Sequence, residues 1–315
     1  MPHHRPLDAR EMPRFAGIRT FMRAPHTADL AGVDAAVYGI PFDTATTYRT
    51  GPRFGPEAIR SASALLRPYN PALDVNVVET LSIVDYGDVP VSPGDIERTY
   101  GQIEQGLAPL VEAGAFPLAL GGDHSVTLAE LRVLAHKHGP LALVQLDAHG
   151  DTWDEYFGQR YFHGTTFKRA LEEKLIEPTA SVQAGLRGSL YAAEDIESVR
   201  ELGFEVIPCD HLRTLGPGGY AGLVTTRVGN RPVFVSFDVD VLDPAFAPGT
   251  GTPEVGGLST AEALAFLRAL RGINLVAADV VEVSPPYDGP GQQTALAAAN
   301  VAYELLSLHA LNQRR

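Results

Sequence analysis

Apolar and polar residues follow two different regular patterns along this chain. Short apolar runs rich in β-branched residues are typical of strands that are buried on both faces of a parallel sheet. Such runs predict eight strands, at residues 34–40, 81–85, 116–120, 141–147, 181–186, 205–208, 233–238 and 275–282. The stretches between them have helical spacing and predict helices at 56–66, 95–112, 125–138, 193–202, 219–228, 260–271 and 294–310.

The alternation of strands and helices is typical of an α/β protein in which helices cover both faces of a mainly parallel sheet. We therefore expect a three-layer α/β/α fold with about eight strands. Ser125 and Thr260 are predicted helix N-caps, and Gly139 and Gly272 are predicted helix stops. Because no linker or repeat divides the 315 residues, we expect an irregular N-terminal segment over 1–30 and a single domain over 31–315.

Composition narrows the class of protein. The formal net charge is −13 and the basic residues form no stripe, which argues against a nucleic-acid partner and against anionic membranes. The single cysteine, Cys209, rules out an internal disulfide and a thiolate metal site. No apolar run reaches transmembrane length and the N-terminus has no signal-peptide core, so we expect no membrane partner and a cytoplasmic location.

Metal-binding side chains follow three of the predicted strands. On an extended backbone, side chains two positions apart point the same way, so alternate residues of Asp147–Asp151 and of Asp238–Asp240 converge. Carboxylates and imidazoles gathered at strand ends are costly unless a cation offsets their charge. A single such motif more often caps a helix or faces water, but three motifs at strand exits favour a metal site. The candidate ligands are His124, Asp147, His149, Asp151, Asp238 and Asp240.

Long loops follow two of these strands, at 150–167 and 243–258. In open α/β sheets ligands bind beyond the carboxyl ends of the strands, so these loops should wall the site. In the first loop, Asp154 and Glu155 are candidates to attract a substrate ammonium, whereas Arg160 is a candidate to attract a substrate carboxylate. The alternative is that all three face solvent.

The motifs taken together resemble the ureohydrolases, the superfamily of arginases and agmatinases, and most closely the agmatinase branch. The resemblance covers nearly the whole chain from about Phe15 onward and departs from the pattern at Gly150, where relatives often carry a hydroxyl residue. It implies an arginase-like fold with one catalytic domain. The segments that carry it are 48–56, 121–125, 147–151, 163–165, 236–253 and 281–285.

The resemblance also implies two Mn²⁺ ions per subunit. A set of carboxylates and imidazoles without thiolate independently favours Mn²⁺ over Zn²⁺. Two ions that share a solvent molecule lower its pKa and generate the nucleophile that a guanidinium carbon requires. By analogy, one ion would take His124, Asp147, Asp151 and Asp238, and the other Asp147, His149, Asp238 and Asp240, with Asp147 and Asp238 bridging.

Three residues are assigned catalytic roles on the same basis. Asp151 would orient the hydroxide, and His163 resembles the family histidine that relays protons to the departing amine. Glu282 would bind the substrate guanidinium through a charge-assisted contact. The alternatives are a solvent-facing loop position for His163, and a pairing of Glu282 with Arg49 or Arg53.

These expectations converge on an enzyme that hydrolyses a small cationic guanidino substrate and releases urea. Agmatine, which would give putrescine, is the first expectation, and 4-guanidinobutyrate or another guanidino acid is the alternative. The presence of all six ligand residues argues against the related single-zinc deacetylases. The presence of His163 and Glu282 argues against a non-catalytic subunit. The resemblance further implies a homohexamer or homotrimer, with the N-terminal segment as a candidate interface element.

Overall fold

The structure is a computed structural model that describes residues 3–192 and 194–314. Every strand expected from the apolar runs is present, and those at 116–120, 205–208 and 233–238 coincide with the prediction. The strands are β1 (Ala35–Gly39), β2 (Tyr69–Asn70), β3 (Val75–Asn76), β4 (Ile83–Asp88), β5 (Phe116–Leu120), β6 (Ala142–Leu146), β7 (Val182–Leu186), β8 (Glu205–Pro208), β9 (Val233–Asp238) and β10 (Leu275–Val281).

Eight of these strands form one sheet in the order β4-β1-β5-β10-β9-β6-β7-β8, and all of its pairings are parallel. Strands β2 and β3 form a separate antiparallel pair. Parallel neighbours need crossover connections, which helices supply here. The helices are α1 (Gly55–Ser63), α2 (Val77–Thr80), α3 (Ile96–Ala113), α4 (Thr127–His138), α5 (Thr166–Glu172), α6 (Asp195–Glu201), α7 (Cys209–Val228), α8 (Thr260–Ala269) and α9 (Gln293–Gln313).

The core lies in two clusters, one on each face of the sheet. Successive strand residues point to opposite faces, so Val37 of β1 packs into one cluster and Tyr38 into the other. The first cluster holds buried residues of α1, α7, α8 and α9, and the second those of α3, α4, α5 and α6. This arrangement confirms the three-layer α/β/α fold.

The helix termini show where local prediction was wrong. Ser259, not Thr260, caps α8, because its hydroxyl accepts the backbone N–H of Glu262 and the Glu262 carboxylate accepts in return. Ser125 is not an N-cap either, since it lies inside a short 3₁₀ turn that Asp123 caps. Gly139 ends α4 with φ of 74°, as expected for a glycine stop.

Other helices differ from the prediction in where they begin, or were not predicted from the sequence. Helix α7 begins ten residues before the predicted position 219 and is kinked at Gly216, whose φ is 63°. Helices α2 and α5 were not predicted at all. Helix α6 begins at Asp195, and Ala193, the predicted start, lies outside the described residues.

The N-terminal segment before β1, described from residue 3 onward, is mostly irregular and contains a 3₁₀ turn at Phe21–Arg23. The turn is anchored to the domain by the Phe21 backbone N–H, which donates to the Asp85 carboxylate at 2.7 Å. Among residues 3–192 and 194–314, no helix combines the length and apolar composition needed to cross a bilayer.

Candidate metal centre

Four strands that are neighbours in the sheet deliver the site residues. In the order β5, β10, β9 and β6 they end next to one another, because carboxyl ends of parallel strands share an edge. His124 follows β5 and Glu282 follows β10, while Asp238 ends β9 and Asp147 follows β6. Residues far apart in sequence therefore meet at one edge of the sheet.

The first ligand group surrounds the imidazole of His124. Its Nδ1 lies 2.8 Å from Asp151 Oδ2, 3.1 Å from Asp147 Oδ2 and 3.3 Å from Asp238 Oδ2. All four side chains are buried. The backbone of Asp151 turns sharply, with φ of 48°, which is a strained conformation for a non-glycine residue. Such strain is typical of a functional position.

The far side of the His124 ring identifies its tautomer. Ser236 donates its hydroxyl hydrogen to the Asp279 carboxylate at 2.7 Å, so the Ser236 oxygen accepts from His124 Nε2 at 2.8 Å. Nε2 then carries a proton, and in the neutral ring the Nδ1 lone pair faces the carboxylates. His124 Nδ1 is accordingly a buried atom without a hydrogen-bond partner. Lone pairs that face one another in this way fit a bound cation.

The second ligand group shares Asp147 with the first. His149 Nδ1 lies 2.9 Å from Asp240 Oδ2 and 3.5 Å from Asp147 Oδ1. Potential ligand atoms of each group, one comprising His124, Asp147 and Asp151 and the other Asp147, His149 and Asp240, lie within 4.8 Å of one another. One carboxylate thus belongs to two ligand groups, as a bridge between two ions requires.

Burial makes this cluster of carboxylates unfavourable without a cation. Burial raises the pKa of Asp238 well above its usual range, and the carboxylates of Asp240 and Asp147 raise it further. Burial, partly offset by His149, raises the pKa of Asp240 to about 6. Burial acts in the same sense on Asp147, but the His124 and His149 rings, when they are protonated in the absence of a cation, outweigh it and hold its pKa below the usual range. The oxygen-rich donor set without thiolate fits a hard divalent ion such as Mn²⁺.

Glu282 stands beside the cluster with one oxygen engaged and one free. Its Oε1 accepts the His124 backbone N–H and the His163 ring, each at 2.9 Å. Its Oε2 is buried and has no hydrogen-bond partner within residues 3–192 and 194–314. The alternative partners are engaged elsewhere: Arg53 pairs with Asp43, and Arg49 lies over aromatic rings. Glu282 therefore offers one unsatisfied anionic oxygen.

A cavity of ≈ 810 Å³ opens onto members of both ligand groups and onto His163, whereas Glu282, which contacts His163, is not among its lining residues in the described part of the chain. His149, Asp151, His163 and Asp238 line it, and so do residues from the 150–167 and 243–258 loops, as the sequence predicted. His163 is only 7% exposed and does not project into solvent. Five aromatic residues also line the cavity: Tyr48, Trp153, Tyr156, Phe157 and Tyr191. Such a lining suits an apolar methylene chain.

The three residues expected to hold the substrate tail are not among those that line the cavity. Asp154 Oδ1 lies 2.5 Å from Arg169 Nη2, and Arg160 Nη2 lies 2.6 Å from Glu172 Oε2. Glu155 is exposed. Both pairs involve helix α5, which the sequence did not predict, so the charges of Asp154 and Arg160 are already matched by neighbouring side chains. The structure thus gives no support to a contact between these three residues and a substrate in this cavity.

Sequence reasoning also missed residues that the structure brings to the site. Thr47 and Arg49 line the cavity from the loop after β1. Arg49 lay inside a motif that was recognised, but it was considered only as a partner of Glu282. Ser236 contacts the His124 ring, and Asp279 in turn accepts a hydrogen bond from Ser236. Both lie within apolar strands, and the polar residue inside an apolar run was the feature of the sequence that could have identified them.

Comparison with known proteins supports this picture. The model of the arginase family matches residues 33–307. The chain is 46% identical to a guanidinobutyrase of Pseudomonas aeruginosa, over 96% of each chain. It is 41% identical to a mitochondrial agmatinase of Gallus gallus, over 96% of this chain and 88% of that one. The solved proclavaminate amidinohydrolase of Streptomyces clavuligerus superposes with a TM-score of 0.90 at 46% identity, covering 95% of this chain and 99% of that structure.

Proposed function

The chain belongs to the arginase family, and we propose that it is a manganese-dependent amidinohydrolase that cleaves a guanidino group and releases urea. The observation that carries this proposal is the free Oε2 of Glu282. It is a buried carboxylate oxygen that has no hydrogen-bond partner in the part of the chain that the structure describes, and it lies beside two ligand groups that share Asp147. A guanidinium is the planar cation that such an oxygen binds through a charge-assisted hydrogen bond.

Two Mn²⁺ ions per subunit are part of the proposal. His124, Asp147 and Asp151 would hold one ion, and Asp147, His149 and Asp240 the other, with Asp238 close to the first group. When bound, the ions supply an activated nucleophile from water at neutral pH.

The protein's own side chains position the substrate and move protons. Glu282 holds the guanidinium through Oε2, because Oε1 is already occupied by two donors. His163 lines the cavity beside Glu282 and holds the proton that the departing amine takes up. Asp151, which also lines the cavity, orients the attacking water.

Agmatine and a guanidino acid differ at the end away from the guanidino group, which is an ammonium in agmatine and a carboxylate in the acid. The preference for agmatine depended on Asp154 and Glu155, which do not line the cavity. Arg49 does line it, and its guanidinium lies 4.8 Å from the centre of the Tyr287 ring and 5.4 Å from that of Tyr48. No carboxylate of the described residues pairs with it. We therefore favour a guanidino acid whose carboxylate binds Arg49.

Agmatine remains the second candidate because acidic side chains also line the cavity. Asp195 and Glu254 are two such residues. The Asp195 carboxylate accepts hydrogen bonds from the backbone N–H groups of Tyr191 and Ala192. The relatives named above include both a guanidinobutyrase and an agmatinase.

A substrate panel tests the proposal. Manganese-loaded protein is assayed for urea release from 4-guanidinobutyrate, 3-guanidinopropionate, agmatine and arginine. Arg49→Gln should lower kcat/KM for the two acids by roughly 10- to 100-fold, because a charge-assisted hydrogen bond is lost, and should change agmatine hydrolysis little. Arg160→Gln, which removes a charge outside the cavity, is the matched control. Equal losses on acids and agmatine would exclude Arg49 as the tail anchor.

Assembly is proposed on separate grounds. Phe15 and Ile18 of the N-terminal segment are 80% and 78% exposed, and exposed apolar side chains in sequence proximity are typical of an interface. We propose a homotrimer or homohexamer in which the segment before residue 31 contacts a second copy of the catalytic domain. Light scattering should show a smaller assembly for the double variant Phe15→Ser, Ile18→Ser than for the unchanged protein. A monomeric unchanged protein would contradict the proposal.

A further inference from the structure

We propose that Thr47 is a positioning residue whose hydroxyl lets His163 hold a proton next to the substrate and then give it up. The inference rests on the proposed function, because it assigns to Thr47 a part in the proton transfer that urea release requires. Thr47 lies in the loop after β1 and lines the same cavity as His163.

The imidazole of His163 is held at both ring nitrogens. Nδ1 lies 2.9 Å from Glu282 Oε1. Nε2 faces Thr47 and receives two contacts from it: the backbone N–H donates at 3.1 Å, and Oγ1 lies at 2.8 Å. Because the ring is nearly buried, these are the groups that decide where its protons sit.

The two contacts from Thr47 suit two protonation states. A backbone N–H can only donate, so in neutral His163 the Nε2 atom accepts and the Nδ1 proton points to Glu282. When His163 takes up a second proton, Nε2–H needs an acceptor. A hydroxyl rotates to accept as well as donate, so Thr47 Oγ1 supplies that acceptor. After the proton passes from Nε2 to the departing amine nitrogen, the backbone N–H again donates to the Nε2 lone pair.

Charges around His163 favour the protonated ring but leave Nε2–H without a partner. Burial lowers the pKa of His163, yet the carboxylates of Glu282, Asp151 and Asp123 outweigh burial and raise it. Of these, only Glu282 has a hydrogen bond with the ring, and it is bonded to Nδ1. The hydrogen bond at Nε2 therefore depends on Thr47.

The loop is held firmly enough to keep this geometry. The His163 backbone N–H donates to Ala45 O at 3.0 Å, and the Ala45 N–H donates to Asp123 Oδ2 at 2.9 Å. The adjacent Thr46 turns its hydroxyl to the backbone oxygen of Asp43 at 3.2 Å instead. Thr46 is therefore a natural control, because it has the same side chain one position away and its hydroxyl is bonded to Asp43 rather than to His163.

The test compares Thr47→Val, which keeps the shape and the backbone N–H but removes the hydroxyl, with Thr47→Ser, which keeps the hydroxyl. In Thr47→Val we expect the alkaline limb of the kcat–pH profile to move to lower pH by about one unit or more, because a hydrogen bond to a charged group is lost. KM should stay within roughly threefold, because Thr47 does not contact Glu282 Oε2. Thr47→Ser and Thr46→Val should keep the original profile.

A second readout does not depend on turnover. In metal-free protein labelled with ¹⁵N-histidine, the His163 ring signals, identified by their absence in His163→Asn, report its tautomer and titration. Thr47→Val should lower the titration midpoint by about one pH unit, while Thr47→Ser should leave it near that of the unchanged protein. Thr47→Ala serves in place of Thr47→Val if the latter does not fold.

Three results would overturn the inference. One is an unchanged pH profile and ring titration in Thr47→Val. Another is an equal loss in Thr47→Val and Thr47→Ser, since the hydroxyl would then not be the cause. A shift of the same size in Thr46→Val would also overturn it. Failure to release urea from any guanidino compound would instead refute the proposed function, and the ring titration would still decide the role of Thr47.

Discussion

Asp147 is the carboxylate whose loss should damage both ligand groups at once. The change Asp147→Asn keeps the size of the side chain and removes its charge. In the described residues, Asp147 faces His124 at 3.1 Å through one oxygen and His149 at 3.5 Å through the other. Neither group of three candidate ligands is complete without it. We therefore expect the variant to bind neither ion at the affinity of the unchanged protein.

The expected loss of thermal stability can be calculated if Mn²⁺ binds the folded protein and not the unfolded chain. At a free Mn²⁺ concentration about 100 times Kd, each site stabilises the protein by about 2.7 kcal/mol, so two independent sites contribute roughly 5 kcal/mol. For a domain somewhat above 250 residues, at roughly 2 °C per kcal/mol, this corresponds to a rise in Tm of roughly 10 °C. In Asp147→Asn we expect most of this rise to disappear.

The assay is thermal unfolding with and without Mn²⁺, paired with metal content by mass spectrometry. Asp154→Asn is the matched control, because Asp154 is an exposed carboxylate that pairs with Arg169 outside the ligand groups. The control should keep the full manganese-dependent rise. If Asp147→Asn keeps both the full rise and the metal content of the unchanged protein, Asp147 is not a bridging ligand.

Three further predictions address the site and the fold. Glu282→Gln should lower kcat/KM at least roughly tenfold by removing the charge that binds the guanidinium; near-normal kinetics would remove Glu282 from substrate binding. Gly122→Ala should lower the free energy of unfolding by about 1–3 kcal/mol, because an added Cβ would lie 1.7 Å from Phe42 O. Gly101→Ala is the control, because a Cβ added there meets nothing within 4 Å. Equal denaturation midpoints for the two variants would contradict this prediction. Burial lowers the pKa of His309 from 6.5 to about 4, so neutral His309 contributes stability above pH 6.5 that is lost as the pH falls through about 4. His309→Phe should therefore remove roughly 3 kcal/mol of the difference in unfolding free energy between pH 7 and acidic pH, and an unchanged acid dependence would argue against this role.

Local pattern determined the elements of this fold and the chemistry of its site. Strands buried on both faces are mainly apolar, so strands such as β1 and β5 appeared as continuous apolar runs, and the others as apolar runs that a polar residue interrupts. Asp147, His149 and Asp151 were proposed as ligands from their alternate spacing alone. Their approach to His124 and Asp240 depends in the structure on long-range contacts and on the left-handed backbone of Asp151, which the spacing did not predict. Helix caps were less readable, because Ser259 and Thr260 are both suitable cap residues and only the backbone conformation selects one.

Tertiary structure decided which of these elements meet. The sheet order that places β5 and β10 beside β9 and β6 joins residues more than a hundred positions apart, as His124 and Ser236 show. No local pattern encodes that order, because it depends on how helices pack across both faces of the sheet.

The partner of each charge was likewise decided in three dimensions. Asp154 and Arg160 have the residue types that would bind a substrate tail, but helix α5 brings Arg169 and Glu172 within ion-pair distance of them. Arg49 has no such carboxylate partner among the described residues and lines the cavity. A charged side chain is available to a ligand only when no neighbour already satisfies it, and its neighbours are set by the fold. The sequence by itself therefore indicated a guanidino-group hydrolase of the arginase family, whereas only the tertiary structure distinguished the charges that line the cavity from those that pair with one another.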